Sequence, residues 1–260
     1  MDEAEEVESY SSAAAAKHLD AIDNTLVAHV LRLLCPQGVG NGGSQRSITE
    51  AAPARGDFQG AHQAKGAAKA CPEVPVGRAS PPVWGLDIGT GPAEIPIKLL
   101  RKIPDLRMVG IDRSMNMLDR ARQNAQRETV SERLALVVAD GHLLPFRDGI
   151  FSMVLCNSVL HHAREPVQLL REMVRVAALE APLLLRDLRR PSRLFLRWHL
   201  WRHGRHYQGL MRKLFEDSVR AAYTLGELEE FVRKAKMEGL CVFRFRGAHI
   251  GIERRKPPRS

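Results

Sequence analysis

Three carboxylates close three short apolar runs. Asp87 lies in Leu86-Asp87-Ile88-Gly89-Thr90-Gly91, Asp112 ends Met108-Val109-Gly110-Ile111-Asp112, and Asp140 ends Leu136-Val137-Val138-Ala139-Asp140. This spacing places a row of acids at the carboxyl edge of a parallel sheet, where open α/β sheets bind their ligands. Gly89 and Gly91 permit a sharp turn and a close approach of ligand to backbone, and Pro92 suits the first position of a helix. A nicotinamide dinucleotide would call for Gly-x-Gly-x-x-Gly, with pyrophosphate against the helix start. Glu94 occupies the place of the third glycine, and Asp87 adds another negative charge nearby. These residues favour a ligand that is positively charged and carries no phosphate.

S-adenosylmethionine, with its sulfonium, ammonium, ribose diol and adenine, is such a ligand. Four stretches then occur in order: Asp87-Ile88-Gly89-Thr90-Gly91, Gly110 to Leu118, Ala139 to Phe146, and Asn157-Ser158-Val159-Leu160-His161-His162. On these, residues 83–188 resemble the core of the class I S-adenosylmethionine-dependent methyltransferases. The nearest group is the one typified by ubiquinone/menaquinone C-methyltransferases and small-molecule methyltransferases. The resemblance implies a Rossmann-like α/β fold: a seven-stranded, mostly parallel sheet with a C-terminal antiparallel hairpin and a helical lid insertion. It implies S-adenosylmethionine as cofactor, held by Asp87, Gly89, Thr90, Gly91, Asp112, Arg113, Asp140, Gly141, His142 and Asn157. Asp112 is placed to accept from both ribose hydroxyls, because a carboxylate has two oxygens for a diol. Asp140 would take the adenine amino group and the His142 backbone N–H a ring nitrogen. Asp87 would orient the ammonium end, and the Asn157 carbonyl would lie beside the methionine moiety.

The pattern is departed from in places. Arg113 stands where an aliphatic residue packs on adenine, although its stem or guanidinium can stack there. Ser152 replaces a usual Phe-Asp, and Leu179-Glu180-Ala181-Pro182 replaces a Pro-Gly-Gly hairpin, which should loosen the lead-in to Leu183-Leu184-Leu185. His161 and His162 are candidate general bases, since histidine titrates near neutrality. Adjacent on a loop, they should point in different directions. No Asp, Glu or Cys cluster completes a metal site around them, so no metal is expected.

The elements that must position these residues follow from periodicity. Strands are predicted near 83–88, 107–112, 134–139, 151–156 and 182–187, with helices near 92–103, 114–127 and 165–178. Residues 189–220 read as helical and 225–236 as a further helix; 240–245 and 248–253 alternate as strands with Gly247 at the turn. Residues 1–35 read as an acidic, alanine-rich tail to 16 and then a cap helix, with Leu19, Ile22, Leu26, Val30 and Leu33 on one face. In the resembling family such a helix covers the cofactor. Residues 36–80 are rich in Gly, Ala, Ser and Pro and read as a disordered insertion, which leaves 81–255 as the methyltransferase domain. A chain of 260 residues at 44% hydrophobic content suffices for one large core. Its four cysteines form no Cys-x-x-Cys pair, and Cys156 reads as a small core residue. The acidic start is not expected to be a signal peptide, no run approaches the roughly 20 apolar residues of a membrane helix, and a cytoplasmic setting is the expectation.

The acceptor side is assigned to residues 187–223. From Leu188 to Lys213 there are eight Lys or Arg, three His and no acid. Leu194, Trp198 and Trp201 share one helix face and Arg189, Arg193 and Arg197 another. The expectation is a lid helix with its apolar face on the core and its arginines in solvent. The sharper reading is a groove for an anionic partner: a phosphate, a carboxylate, a membrane surface or RNA. Nucleic acid is not the favoured partner. The net charge of +9 is spread along the chain, and Asn157-Ser158-Val159-Leu160 is not the Asn/Asp-Pro-Pro-Tyr/Phe element of amino-methylating nucleic-acid enzymes. The reading is methyl transfer to a small-molecule acceptor, an anionic one included. The alternatives are an RNA or protein methyltransferase using the basic lid and a non-catalytic S-adenosylmethionine-binding pseudoenzyme.

Overall fold

A computed structural model describes residues 13–34, 83–205, 207–237, 239–245 and 248–254. The stretch 36–80, read as an insertion, lies outside the described residues, as do Gly247 and most of the N-terminal tail. Seven strands form one sheet: β1 (Val83–Ile88), β2 (Leu106–Asp112), β3 (Leu134–Val138), β4 (Met153–Asn157), β5 (Leu183–Leu188), β6 (Cys241–Phe245) and β7 (His249–Arg254). Their order is β3-β2-β1-β4-β5-β7-β6, with β1 to β5 parallel and β7 antiparallel to both β5 and β6. The order reverses between β1 and β4, so the crevice above their carboxyl ends is the topological switch point.

Alternation along the strands divides the core in two. Leu86, Ile88, Val154, Cys156, Leu183, Leu185, Ile250 and Ile252 face one side. There they meet α4 (Pro166–Val176) and α7 (Leu225–Lys234) through Leu169, Leu170, Met173 and Leu228. Met108, Met153, Leu155 and Leu184 face the other side, against α1 (Ala13–Leu34), α2 (Glu94–Lys102) and α3 (Met115–Arg127). The central strands are thus covered on both faces, which is why they read as unbroken apolar runs rather than a two-faced alternation.

Some boundaries differ from expectation. Helix α1 starts at Ala13, ahead of the expected Lys17, so the alanines judged to be tail are helical. Helix α2 starts at Glu94 after Ala93 at φ 62, so Pro92 sits in the turn before the helix and not at its first position. The helical stretch 189–220 holds two helices, α5 (Arg193–Gly204) and α6 (Gly209–Ala221). The turn lacking its glycines is not loose. Glu180 adopts φ 61 itself, Ala181 N–H donates to the Ala178 carbonyl at 2.9 Å, and Arg254 Nε donates to the Ala181 carbonyl at 2.9 Å.

The face of α5 is opposite to the one expected. Its buried residues are His199, Leu200 and Gly204, while Leu194, Phe195, Trp198 and Trp201 are 58 to 90% exposed. The inward side is the one that carries Gly204, where a Cβ would stand 3.5 Å from Phe215 of α6, so the apolar stripe faces outward.

Helix α1 is fixed by a buried guanidinium. Arg186, on β5 and only 1% exposed, donates through Nη1 to Thr25 Oγ1 at 2.7 Å, through Nη2 to the Ile22 carbonyl at 3.1 Å and through Nε to Asn157 Oδ1 at 3.1 Å. Burial lowers its pKa to about 10, with Asp23 opposing that fall, so it stays charged at neutral pH. A second tie, His29 Nε2 to Glu253 Oε2 at 2.6 Å, joins α1 to β7 inside the core. Removing a buried hydrogen-bonded cation leaves its acceptors unpaired. Arg186→Leu is therefore expected to lose roughly 2–4 kcal/mol in urea unfolding and to expose α1 to protease before the rest of the fold. Full stability with α1 still protected would show that the guanidinium does not hold the helix.

Candidate cofactor site

A cavity of about 750 Å³ opens at the switch point. It is lined by the β1 loop from Asp87 to Pro92, Glu94, the β2 end at Asp112 and Arg113, and residues 139–142 after β3. Asn157, Ser158, Val159 and His162 after β4, with Leu19, Asp20 and Asp23 of α1, close its other walls. Helix α1 thus supplies one wall of this cavity.

The loop needs both glycines, for different reasons. Gly89 has φ 68, and a Cβ there would stand 2.2 Å from Val159 Cγ2, so turn and packing both forbid a side chain. Gly91 has φ 52, but a Cβ there would meet nothing within 4 Å, because it would project into open space. Thr90, expected at the cofactor, is buried beneath the loop, its N–H donating to the Ile111 carbonyl at 2.8 Å.

Asp112 is pinned from behind. Its Oδ2 accepts from Gly91 N–H at 2.9 Å and its Oδ1 from Ser114 N–H at 3.0 Å, which leaves each oxygen a lone pair directed elsewhere. Asp140 folds back on its own turn. Its Oδ1 accepts from the His142 N–H at 2.9 Å and lies 2.6 Å from His142 Nδ1, and these bonds, the backbone one first, hold its carboxyl below the usual range. The His142 N–H assigned to a ring nitrogen is thus engaged by Asp140. Arg113 extends from the rim, its Nε 4.0 Å from Asp140 Oδ2. Gly141 stays small because a Cβ there would come within 2.7 Å of Leu169.

Two acids of the lining were not foreseen. Asp20 and Asp23, three residues apart on α1, fall on one helix face. Lys98 Nζ lies 2.9 Å from Asp20 and 3.7 Å from Asp23. With Asp87, Glu94, Asp112 and Asp140 they put six carboxylates on the cavity wall of a chain whose net charge is +9. Burial pushes Asp87 up to about 7, and the charges of Asp23 and Asp112 push the same way. Asp23 is raised to about 6 by burial, against the pull of Lys98 and Arg186.

The two histidines differ in kind, and they do not diverge. They share one tight helical turn, Leu160–His162, with ring centroids 3.9 Å apart. His161 is buried: its Nδ1 lies 2.6 Å from Asp187 Oδ1, and its N–H donates to Asp187 Oδ2 at 3.1 Å. His162, not His161, lines the cavity, and burial followed by the charge of His161 lowers its pKa. Asp187 lies within β5, and no local sequence pattern tied it to His161. Its reach to His161 exists only because β4 and β5 are neighbours in the sheet.

A methyltransferase domain family model matches residues 86–184. The matched residues and the fold support a class I S-adenosylmethionine-dependent methyltransferase domain over this stretch. The demethylmenaquinone methyltransferase of Roseiflexus castenholzii is 29% identical over 140 residues, 53% of this chain and 57% of that protein. The one from Porphyromonas gingivalis is 33% identical over 107 residues, 41% of this chain and 44% of that protein. The chain thus spans about half the length of these relatives, with 57% and 44% covered. A methyltransferase structure from Aquifex aeolicus superposes with a TM-score of 0.50 at 18% identity, over 66% of this chain and 80% of that one, a likeness of fold.

The cofactor of the family is S-adenosylmethionine, and the lining fits it. The wall is acidic where a phosphate would be repelled, and the buried Asp87 has no cationic side chain beside it among the described residues. Gly91→Ala separates fold from binding. The methyl would enter open space at a cost of about 1 kcal/mol for the left-handed backbone, so the fold should survive. Calorimetric titration with S-adenosylhomocysteine should then show at least about tenfold weaker binding, the loss expected when a well-matched contact surface is blocked. Undiminished affinity would place the cofactor away from this loop.

Proposed function

We propose that the protein transfers a methyl group from S-adenosylmethionine to a small-molecule acceptor. The observation that carries this is the six-carboxylate cavity at the switch point, roofed by α1. The relatives whose names give demethylmenaquinone as substrate support a small molecule as the acceptor class. When bound, S-adenosylmethionine supplies an activated methyl group on a positively charged sulfur.

The chain's own residues bind, orient and exclude water. Asp112, held by Gly91 and Ser114, presents its remaining lone pairs to the ribose diol. Asp87 sets the ammonium end. The Asn157 carbonyl lies beside the methionine moiety, with the Asn157 side chain held by Arg186 Nε. Asp140 and Arg113 frame the adenine end. Leu19 and the acids of α1 close the cavity over these groups, so the reacting atoms meet in a fixed, dry geometry. His162 is the residue placed to take a proton from an acceptor that must lose one. Its lowered pKa leaves it neutral at pH 7, and His161, clamped by Asp187, backs its ring.

Titration with S-adenosylhomocysteine, followed by an acceptor screen for turnover, tests the function directly; no binding would overturn it. The binding should depend on pH with a definite sign. Asp87 near 7 must shed its proton to face a cation, so a bound ammonium lowers its pKa and complex formation releases a proton below neutrality. Affinity should then be about tenfold weaker at pH 6 than at pH 8, and Asp87→Asn should flatten that slope. A flat profile in the unaltered protein would remove Asp87 from the site. Replacement His162→Gln is expected to lower kcat by a factor of about 10² or more with cofactor affinity little changed. An unaffected kcat would limit His162 to lining the pocket.

A further inference from the structure

The outward face of α5 has no partner in the fold. Leu194, Phe195, Trp198 and Trp201 occupy positions i, i+1, i+4 and i+7 of one helix, each 58 to 90% exposed. Arg193, Arg197 and Arg202 flank that stripe and make no ion pair among the described residues, whereas Arg190 pairs with Glu227 and Arg212 with Glu216. Over residues 188–213 there is no acid to neutralise them. At the start of α5 a recess of about 310 Å³ opens between Arg189, Pro191, Ser192, Phe195, Trp198 and His199, so aromatic bulk and cationic side chains border one notch.

Large apolar side chains are rarely left this exposed without a partner. The charge around them says what that partner is. A second copy meeting this face about a two-fold axis would bring three arginines against the same three arginines, an unfavourable isologous contact. Single-stranded RNA would satisfy the guanidiniums and stack on the indoles, yet it has nothing to cover Leu194, the most exposed of the four at 90%. An anionic bilayer surface satisfies both halves of the pattern. Tryptophan and phenylalanine settle at the boundary between headgroups and acyl chains, leucine dips below it, and arginines along the flanks meet the lipid phosphates. No helix among the described residues is long and apolar enough to cross a membrane, so association through α5 lies in the interface plane.

We infer that α5 docks the protein onto anionic membrane surfaces through Leu194, Phe195, Trp198 and Trp201 flanked by Arg193, Arg197 and Arg202. The consequence for the enzyme is geometric. Helix α5 packs on α6, and α6 packs on the turn that carries His162 at the cavity wall, so docking brings the acceptor side near the lipid.

The test is flotation of the full chain with vesicles of phosphatidylcholine alone and of equimolar phosphatidylcholine and phosphatidylglycerol, read together with tryptophan emission. Binding to the anionic vesicles with a blue-shifted emission is expected, and little binding to the neutral ones. Trp198→Ala combined with Trp201→Ala, and separately Arg193→Gln with Arg197→Gln and Arg202→Gln, should each weaken vesicle binding at least about tenfold. Because all five side chains are exposed, affinity for S-adenosylhomocysteine should stay unchanged in both variants, which shows that the fold is intact. Absence of anionic-vesicle binding, or binding that both variants retain, would overturn the proposal. So would salt-steep binding to single-stranded RNA without vesicle binding, or a dimer abolished by the tryptophan changes, for these would assign the face to nucleic acid or to a second copy.

Discussion

A single buried guanidinium joins α1 to the end of β4 beside the cavity at the switch point. Arg186 rises from β5, holds Asn157 at the end of β4 and reaches up to the backbone and side chain of α1 at Ile22 and Thr25. Stripped of water, it must satisfy its donors within the protein, and the geometry that does so is the one with α1 seated over the switch point. Asp23, brought near by that seating, supplies the nearest compensating charge. The seat of α1 and the Asn157 side chain are therefore held by one guanidinium.

The charge distribution has the opposite sense inside and outside. The chain carries a net +9, yet the cavity concentrates carboxylates, one of them raised to about 7 by burial. Such a site is poised: it is costly while empty, and a cation relieves it. Phosphate-bearing dinucleotides are disfavoured by the same charges. Of the positive charge, eight Lys or Arg lie in the acid-free stretch 188–213 that contains α5. Inner acid and outer base thus set the cavity and the α5 face apart in charge.

The departures from the family pattern are absorbed by neighbours rather than left as defects. Glu180 takes the left-handed conformation that glycine would supply, and Arg254 ties the carbonyls of that turn to β7. Arg113 replaces an aliphatic residue and leans from the rim toward Asp140. His161 and His162, adjacent in sequence, stack because a tight turn closes their rings together and Asp187 fixes one of them. Local irregularities at both edges of the sheet are thus tied by long-range contacts from β5 and β7.

Strand ends marked by Asp87, Asp112 and Asp140, the glycine turn and the amphipathic face of α1 were legible in the sequence. Each is a matter of period and spacing, which local backbone geometry converts directly into placement. The mostly parallel sheet with its closing antiparallel hairpin followed from the alternation of strand and helix and the family resemblance, whereas the order of strands, and with it the switch point, belongs to the tertiary structure. Other features lay beyond any local pattern. That Asp20 and Asp23 line the cavity depends on where α1 lands, and Arg186 decides that from 161 residues away at Thr25. That His162 rather than His161 meets the cavity depends on Asp187 arriving from the next strand. The outward turn of the α5 tryptophans was the clearest failure of a periodic argument. A helical stripe shows which residues share a face, but only the packing of a neighbouring helix decides whether that face looks in or out.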